Sequence, residues 1–527
     1  MYEIFHVNRS VQVQELKNDI QWDMVVIGGG ASGLGVALDG VSRGLKVALV
    51  EQSDFAKGTS SRSTKLLHGG VRYLAQGQIN LVFEALHERG LLLKNANHLS
   101  KSQAFIIPIY RLIDHIKYGL GLKIYDWMAK GLSLGKSELI SKNRMLRMMP
   151  HIKSSGLRGG VLYYDGQFDD SRLAINVAQT IVEQGGTLVN YTAVTELLKD
   201  ERGTIIGVQV EDKISAEHYT LKAKMIVNAT GVFSDKILKM DNPTAKKSIQ
   251  TSQGVHIVLD QKFTTSSAAL MIPKTSDGRV LFAVPWKQSL VVGTTDTLIN
   301  KPKLEPQALE SEVNFILETA QAYLSPAPEK KDIKAVFAGL RPLAKAANEN
   351  EKTKEISRSH KVIVSQSGLV SIVGGKWTTF RRMGQDTVDY FYKLNSLEFC
   401  KSRSEALLIH GAFEDIKAHK NNSDVYGTDT PKLEQLCQEN PSWNELLHPD
   451  FPNKIGEIIW AIRYEMAQTL DDVLSRRLRL LFQNVEAALD IAPKVARIMK
   501  EELNKEDAWE QEQITTFNTI ASHYKPL

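Results

Sequence analysis

Cysteine is nearly absent from the 527 residues. Only Cys400 and Cys437 occur, too few for a disulfide framework, and neither stands in a C-x-x-C spacing suited to a metal or a redox pair. A reducing, cytoplasmic setting and no bound metal are therefore expected. Long apolar runs are missing too. With no stretch of about eighteen uncharged apolar residues, no integral membrane segment is expected, and the opening MYEIFHVNRSVQVQELKNDIQ is too polar for a secretory leader. Charge of one sign is scarce: 65 Lys and Arg face 60 Asp and Glu, a net +5. That balance gives no case for nucleic acid, although a mildly basic surface suits anionic substrates or an anionic membrane face. Internal repeats and low-complexity tracts are absent. The remaining class is an ordinary globular protein, 43% hydrophobic and 24% charged, too long for one core and expected to form two or three domains.

What is present is concentrated first between Met24 and Glu51. The apolar run Met24 to Ile27 leads into Gly28-Gly29-Gly30-Ala31-Ser32-Gly33, the G-x-G-x-x-G spacing that brings backbone close to a pyrophosphate and seats it on a helix N-terminus. A helix ending near Gly44 follows, then a second apolar strand from Lys46 to Val50. Glu51 closes the unit, about twenty residues after the first glycine, where a carboxylate accepts ribose hydroxyls and disfavours a 2′-phosphate. Strand, turn, helix, strand and acid together predict an adenine dinucleotide.

Further along, Asn80 to Asn97 and Asp170 to Glu183 carry helical periodicity, and Met225 to Asn228 reads as a buried strand closing on Ala229-Thr230-Gly231. Residues 251 to 300 alternate as an antiparallel sheet would. Between Phe105 and Leu134, aromatic and apolar residues interleave with Arg111, Lys117, Lys123 and Lys130. That pattern fits either an amphipathic helix pair capping the core or a segment lying in a membrane interface. Past about residue 400 charged helices take over, and the SRRLRLL stretch beside Asp471 and Asp472 reads as a solvated helix face.

The segments TSSRSTKLLHGGVRYL (59 to 74), QGVHIVL (253 to 259), VPW with GTTDT (284 to 297), AGLRPL (338 to 343), ISRSH (356 to 360), GGKWTT (374 to 379) and RYEMAQTLDDVLSRRLRLLF (463 to 482) together resemble the FAD-dependent glycerol-3-phosphate dehydrogenases of the D-amino-acid oxidase-like superfamily. The resemblance runs from about residue 23 to about 500. It implies an α/β fold with a Rossmann-like FAD-binding domain assembled from 23–100, 160–250 and 335–395, a substrate or cap region from 101–159 and 251–334 built on an antiparallel sheet, and a helical domain over 400–527. Residues 1–22 form an extension. The implied reaction is oxidation of sn-glycerol 3-phosphate to dihydroxyacetone phosphate, with electrons passed to a quinone by an enzyme held peripherally on the cytoplasmic face of a membrane, and a homodimer is one expectation. An oxidase using oxygen, an amine oxidase of the same fold, and an RNA- or partner-binding flavoprotein are the alternatives.

A phosphate dianion needs fixed cations, and arginine offers a planar fork of donors for it. Arg72, Arg341, Arg358 and Lys376 all lie inside the matching segments. The resemblance places Arg341 and Arg358 near the substrate phosphate, Arg72 with Lys376 near the flavin and the reacting hydroxyl, and Tyr73 among the substrate contacts. In this chain Ser359 follows Arg358, where the family commonly has an acid. Removing the hydroxyl proton requires a base with a pKa near neutrality, which points to histidine. His68 is the first choice and His256 the second. The flavin contacts implied are Gly28, Gly30, Ala31, Ser32, Gly33 and Glu51 in the first unit, and Thr59, Ser60, Ser61, Lys65, Leu66, His68, Gly69 and Gly70 in the crossover. Later in the chain they are Val194, Ala229, Thr230, Gly231, Gly374, Gly375, Lys376 and Thr378.

Overall fold

The computed structural model describes residues 7–70, 79–111, 128, 134–263, 266–273, 275–345, 360–415 and 425–527. Arg72, Tyr73, Arg358 and Ser359 lie outside them, as does most of the basic aromatic segment, 112–127 and 129–133.

Two sheets organise the chain. The first has eight strands, with His360–Val364, Val370–Gly374, His218–Asn228, Gln21–Ile27, Val47–Val50 and Thr187–Val189 side by side in that order. Its central pairings are parallel, Gln21–Ile27 lying between His218–Asn228 and Val47–Val50. Strands buried on both faces read as continuous apolar runs, and Met24 to Ile27 and Val47 to Val50 do so. Helices Ala31–Ser42, Asp170–Glu183 and Phe380–Leu394 join one face in a single core. Helix Ala31–Ser42 meets Phe380–Leu394 where a Cβ on Gly384 would come within 2.0 Å of the Gly35 carbonyl oxygen, so two glycines permit backbone contact.

The second sheet has ten strands, and its longest pairing is the antiparallel ladder between Ile249–Asp260 and Ile333–Ala344. Alternation along the first of these puts Val255, Ile257 and Leu259 against helix Glu310–Tyr323. Val258, with Ala335 and Phe337, packs under the C-terminal helices on the opposite face. Strands Gly159–Phe168 and Ile333–Ala344 belong to this second sheet, although the sequence reading groups most of their residues with the dinucleotide fold. Both are apolar and long enough for either sheet, and their partners Ser100–Ile109 and Ile249–Asp260 decide the matter.

Two further expectations change. Phe105 to Ile109 form the end of strand Ser100–Ile109 rather than a helix, because their pairing with Gly159–Phe168 supplies hydrogen bonds that periodicity alone does not reveal. The SRR stretch is not solvated: Arg476, Arg477 and Arg479 are almost completely buried, each against carboxylates from distant parts of the chain.

Candidate functional site

A cavity of about 670 Å³ lies between the two sheets. One end is the glycine turn. Gly28 adopts φ +113°, and a Cβ there would meet the Ala229 carbonyl oxygen at 2.8 Å, so the turn and the Ala229-Thr230-Gly231 corner touch through backbone. Gly30 caps helix Ala31–Ser42 without a side chain of its own, so that beyond the Ala31 N–H, which Ser60 takes, the helix N-terminus faces the cavity. The Glu51 carboxylate accepts the Gly29 N–H at 2.6 Å and the Ser53 N–H at 2.9 Å, and burial raises its pKa above the ordinary value. Val194, Thr192, Lys213 and Lys236 line this end as well.

The wall continues through the loop after Glu51. Thr59, Ser60, Leu66, His68 and Gly70 line the cavity, with the Ser60 hydroxyl accepting the Ala31 N–H at 2.9 Å. Trp377 donates from its indole to the Ser60 carbonyl at 2.7 Å and thereby joins the loop to Gly374, Gly375, Lys376 and Thr378, which line the far end.

Strands of the second sheet form the floor. His256 is in register with Gly293, Gly293 with Phe282, and Phe282 with Met271, while Phe105 is paired with Tyr163 on the next strands. The floor is therefore polar around His256, Thr294, Thr295 and Arg341 and apolar around Phe282, Met271, Phe105 and Tyr163. Arg341 donates from Nη1 to the Thr295 carbonyl at 3.1 Å and from Nη2 to the Thr294 hydroxyl at 3.0 Å, with Asp296 3.8 Å from Nη1. His256 stacks on Phe337 with ring centroids 4.7 Å apart, and its Nε2 lies 2.9 Å from the Thr64 hydroxyl. Burial, reinforced by the positive charges of Lys65 and Arg341, holds its pKa well below the histidine range, so the ring is neutral. His68 is only half-buried.

Not every residue singled out in the sequence reaches the cavity. Lys65 is fully buried below the loop, where its ammonium sits 2.8 Å from Asp170 and is surrounded by the rings of Trp286, Phe337 and Phe482. Burial, with the nearby Arg479 charge, lowers its pKa to about 8, against the opposing pull of Asp170. Ser61 turns its carbonyl to Lys65, Gly69 donates its N–H to Asp165, and Gly33 packs its α-carbon against the Gly28 carbonyl. Thr64, Arg279, Thr294, Thr295 and Asp296 line the cavity without having been singled out. The GTTDT segment holds three of these and could have signalled them. Arg279, in the TSDGR turn, carries no sequence mark of its own.

These features fit a flavin dinucleotide. The side-chain-free turn, the open helix N-terminus and the inward carboxylate suit an ADP moiety, and a cavity of this size is in the roughly 300–1,000 Å³ range of cofactor sites.

Comparisons with known proteins agree. Residues 23–381 match the family of FAD dependent oxidoreductases, and 369–513 match the C-terminal domain of alpha-glycerophosphate oxidase. The mitochondrial glycerol-3-phosphate dehydrogenase of Homo sapiens is 38% identical over 542 residues, covering 97% of this chain and 74% of that protein. A probable counterpart in Caenorhabditis elegans is 38% identical over 532 residues, covering 95% and 73%. Among solved structures, the glycerol-3-phosphate dehydrogenase of Bacillus halodurans complexed with FAD superposes with a TM-score of 0.79 at 28% identity, covering 99% of both chains. The L-alpha-glycerophosphate oxidase of Mycoplasma pneumoniae shares the fold, with a TM-score of 0.56 and 17% identity over 73% of this chain and 97% of that one.

Proposed function

The chain belongs to the FAD-dependent glycerol-3-phosphate dehydrogenase family, and from that premise we propose that it oxidises the secondary hydroxyl of sn-glycerol 3-phosphate to give dihydroxyacetone phosphate. The observation that carries this reading is the polar half of the floor, where an oriented arginine and a neutral histidine face the cavity that Lys376 and the dinucleotide cradle also line. FAD, when bound, supplies the acceptor for the hydride lost from the carbinol carbon.

The chain's own residues bind and orient. Arg341, its fork fixed by Thr294 and Thr295, takes phosphate oxygens, and Lys376 adds a positive charge near the flavin and the reacting hydroxyl. His68, half-buried and able to exchange protons with solvent, receives the hydroxyl proton. His256, uncharged and tied to Thr64, orients the substrate without adding charge to the floor. Arg72 and Arg358 complete the cationic set, and Tyr73 joins the substrate contacts, by family resemblance alone.

The acceptor of the electrons is a membrane quinone in this reading, reached by peripheral attachment to an anionic cytoplasmic face, with a homodimer as the working assembly. What supports the acceptor is that the relatives are called dehydrogenases and not oxidases. No helix among the described residues is long and apolar enough to cross a membrane. Anaerobic addition of glycerol 3-phosphate to the purified flavoprotein tests the substrate. Bleaching near about 450 nm, absent with glycerol or glycine, is expected. No bleaching in a flavin-loaded sample overturns the assignment. Reoxidation faster with a short-chain quinone than with oxygen is the result expected for the acceptor, and the reverse order makes the protein an oxidase.

A further inference from the structure

The loop after Glu51 has two faces. Its upper face lines the cavity with Ser53, Ala56, Thr59 and Ser60 and is joined to the glycine turn by the Ala56 N–H donating to the Gly29 carbonyl at 3.0 Å. Its lower face is held by a short segment of the C-terminal helices, 471–479, which itself has no residue on the cavity, with Asn190 on Asp54 and Glu305 on Lys57 as further partners.

Three attachments make this contact. Arg477 donates from Nη1 and Nη2 to the two oxygens of Asp54 at 2.6 and 3.0 Å, and Arg476 donates to the same carboxylate. Asp471 accepts from Lys57 at 2.6 Å and pairs with Arg476 at 2.8 Å. Arg479 donates to the Ser61 carbonyl at 3.1 Å and to Asp170 at 2.7 Å, beside the Lys65 ammonium. Asp54 and Arg479 show no exposed surface. The segment is wound as a π-helix, Asp472–Arg477, and Arg479 follows at φ +67°. Arg476 and Arg477, consecutive in this segment, both reach the one Asp54 carboxylate. Buried charges of this kind add little net stability when paired, but an unpaired member is costly, so the pairs define one position of the loop.

We propose that Asp54 and Asp471 are positioning residues for FAD: through Arg476 and Arg477 the C-terminal segment fixes the loop that carries Ser53 to Ser60, and cofactor retention depends on residues that never touch it. By reciprocity, bound FAD steadies segment 471–483. This rests on the flavin class of the cofactor and not on the substrate, so its test is independent of glycerol 3-phosphate.

The test uses the full-length holoenzyme and the variants Asp54→Asn and Asp471→Asn, which keep side-chain shape and remove one charge. The control, Arg463→Gln, breaks the ion pair to Glu502 between helices Ile455–Glu465 and Val485–Glu502, away from the loop. FAD release is followed after dilution by the rise of free-flavin fluorescence. Release faster by about tenfold or more is expected in both aspartate variants, with a change within about twofold in the control. Should Asp54→Asn fail to fold, Asp471→Asn gives the same reading at the loop's edge. Amide hydrogen exchange across 471–483 is expected to quicken when FAD is removed, more than across helix Asp507–Ser522. Unchanged release in the folded aspartate variants, equal acceleration in Arg463→Gln, or exchange in 471–483 indifferent to FAD overturns the proposal.

Discussion

Arg341 occupies the space that a side chain on Gly254 would fill: a Cβ there would stand 2.2 Å from its Nη2 and 2.5 Å from the Thr294 hydroxyl oxygen. The glycine sits mid-strand in Ile249–Asp260, opposite Gly339, and its lack of a side chain is what admits the guanidinium to the floor. Nη2 is the far end of a flexible side chain, so a methyl group there displaces the fork more readily than the strand. Gly254→Ala is therefore expected to raise KM for glycerol 3-phosphate about tenfold or more while the thermal midpoint moves by only a few degrees, about what 1 kcal/mol would produce. Steady-state kinetics and a melting curve on the same preparation check it. An unchanged KM would remove Arg341 from the substrate site.

His256 stays neutral because it is buried beside two cations, and the sign of its effect on stability follows. In the unfolded chain a histidine takes up a proton near pH 6.5, whereas the folded ring resists it until well below that value. Stability is thus fully present above about pH 6.5 and drains away as the pH falls toward the folded pKa. His256→Phe keeps the stack on Phe337 and removes the titration. The parent should lose stability relative to this variant between pH 7.5 and 5, measured by denaturant midpoints. A parallel pH dependence in the two proteins would mean that the folded ring takes up its proton as readily as the unfolded one.

The cradle is legible in sequence because every part of it obeys a local rule. Gly28 to Gly33, the apolar strand before them and Glu51 lie within one unit, and helix Asp170–Glu183 appears where periodicity puts it. The clamp beneath the cradle is not legible. Arg476 and Asp54 are 422 positions apart, and a run of charge reads as solvated unless its partners are known to arrive from elsewhere. Lys65 fails for another reason: it shares a motif with Ser60 and His68, but the backbone at φ +63° turns it down to Asp170 instead of toward the cavity. Motif membership fixes the neighbourhood of a residue and leaves its direction to the backbone. Strand Gly159–Phe168 shows the same limit at the level of sheets, since its apolar character and length fit either sheet and only its partners choose.

Gly384 offers a test of how the cradle is supported from behind. A Cβ there would come 2.0 Å from the Gly35 carbonyl oxygen, and neither backbone can yield without separating helices Ala31–Ser42 and Phe380–Leu394. Overpacking of this kind costs roughly 1–3 kcal/mol. The first helix begins at the cofactor turn, so Gly384→Ala should lower the thermal midpoint and also weaken FAD retention, read by fluorescence of released flavin. Gly44→Ala serves as the contrast: no atom lies within 4 Å of its Cβ, but φ is +79°, so it should destabilise through backbone strain while leaving FAD retention near that of the parent.

His410 reverses the pH argument made for His256. It is placed between Glu183 at 2.5 Å and Asp429 at 2.5 Å, with Lys432 3.0 Å from the far oxygen of Asp429. Burial alone would lower its pKa, but the two carboxylates outweigh burial and raise it to about 9. The neighbouring His98, bonded to Asn176 and held down to about 4 by burial, contributes no competing charge near neutrality. The folded pKa exceeds the unfolded value near 6.5, so the ionic contribution is complete below about pH 6.5 and declines as the pH rises through about 9. His410→Gln should therefore be less stable than the parent by an amount of order 2 kcal/mol at pH 6, and the gap should shrink steadily toward pH 10. Chemical denaturation of both proteins at pH 6, 8 and 10 measures it. A gap that is constant or that widens with pH would mean that Glu183 and Asp429 do not hold a proton on His410, and that their contact with the ring is between neutral imidazole and solvated carboxylates.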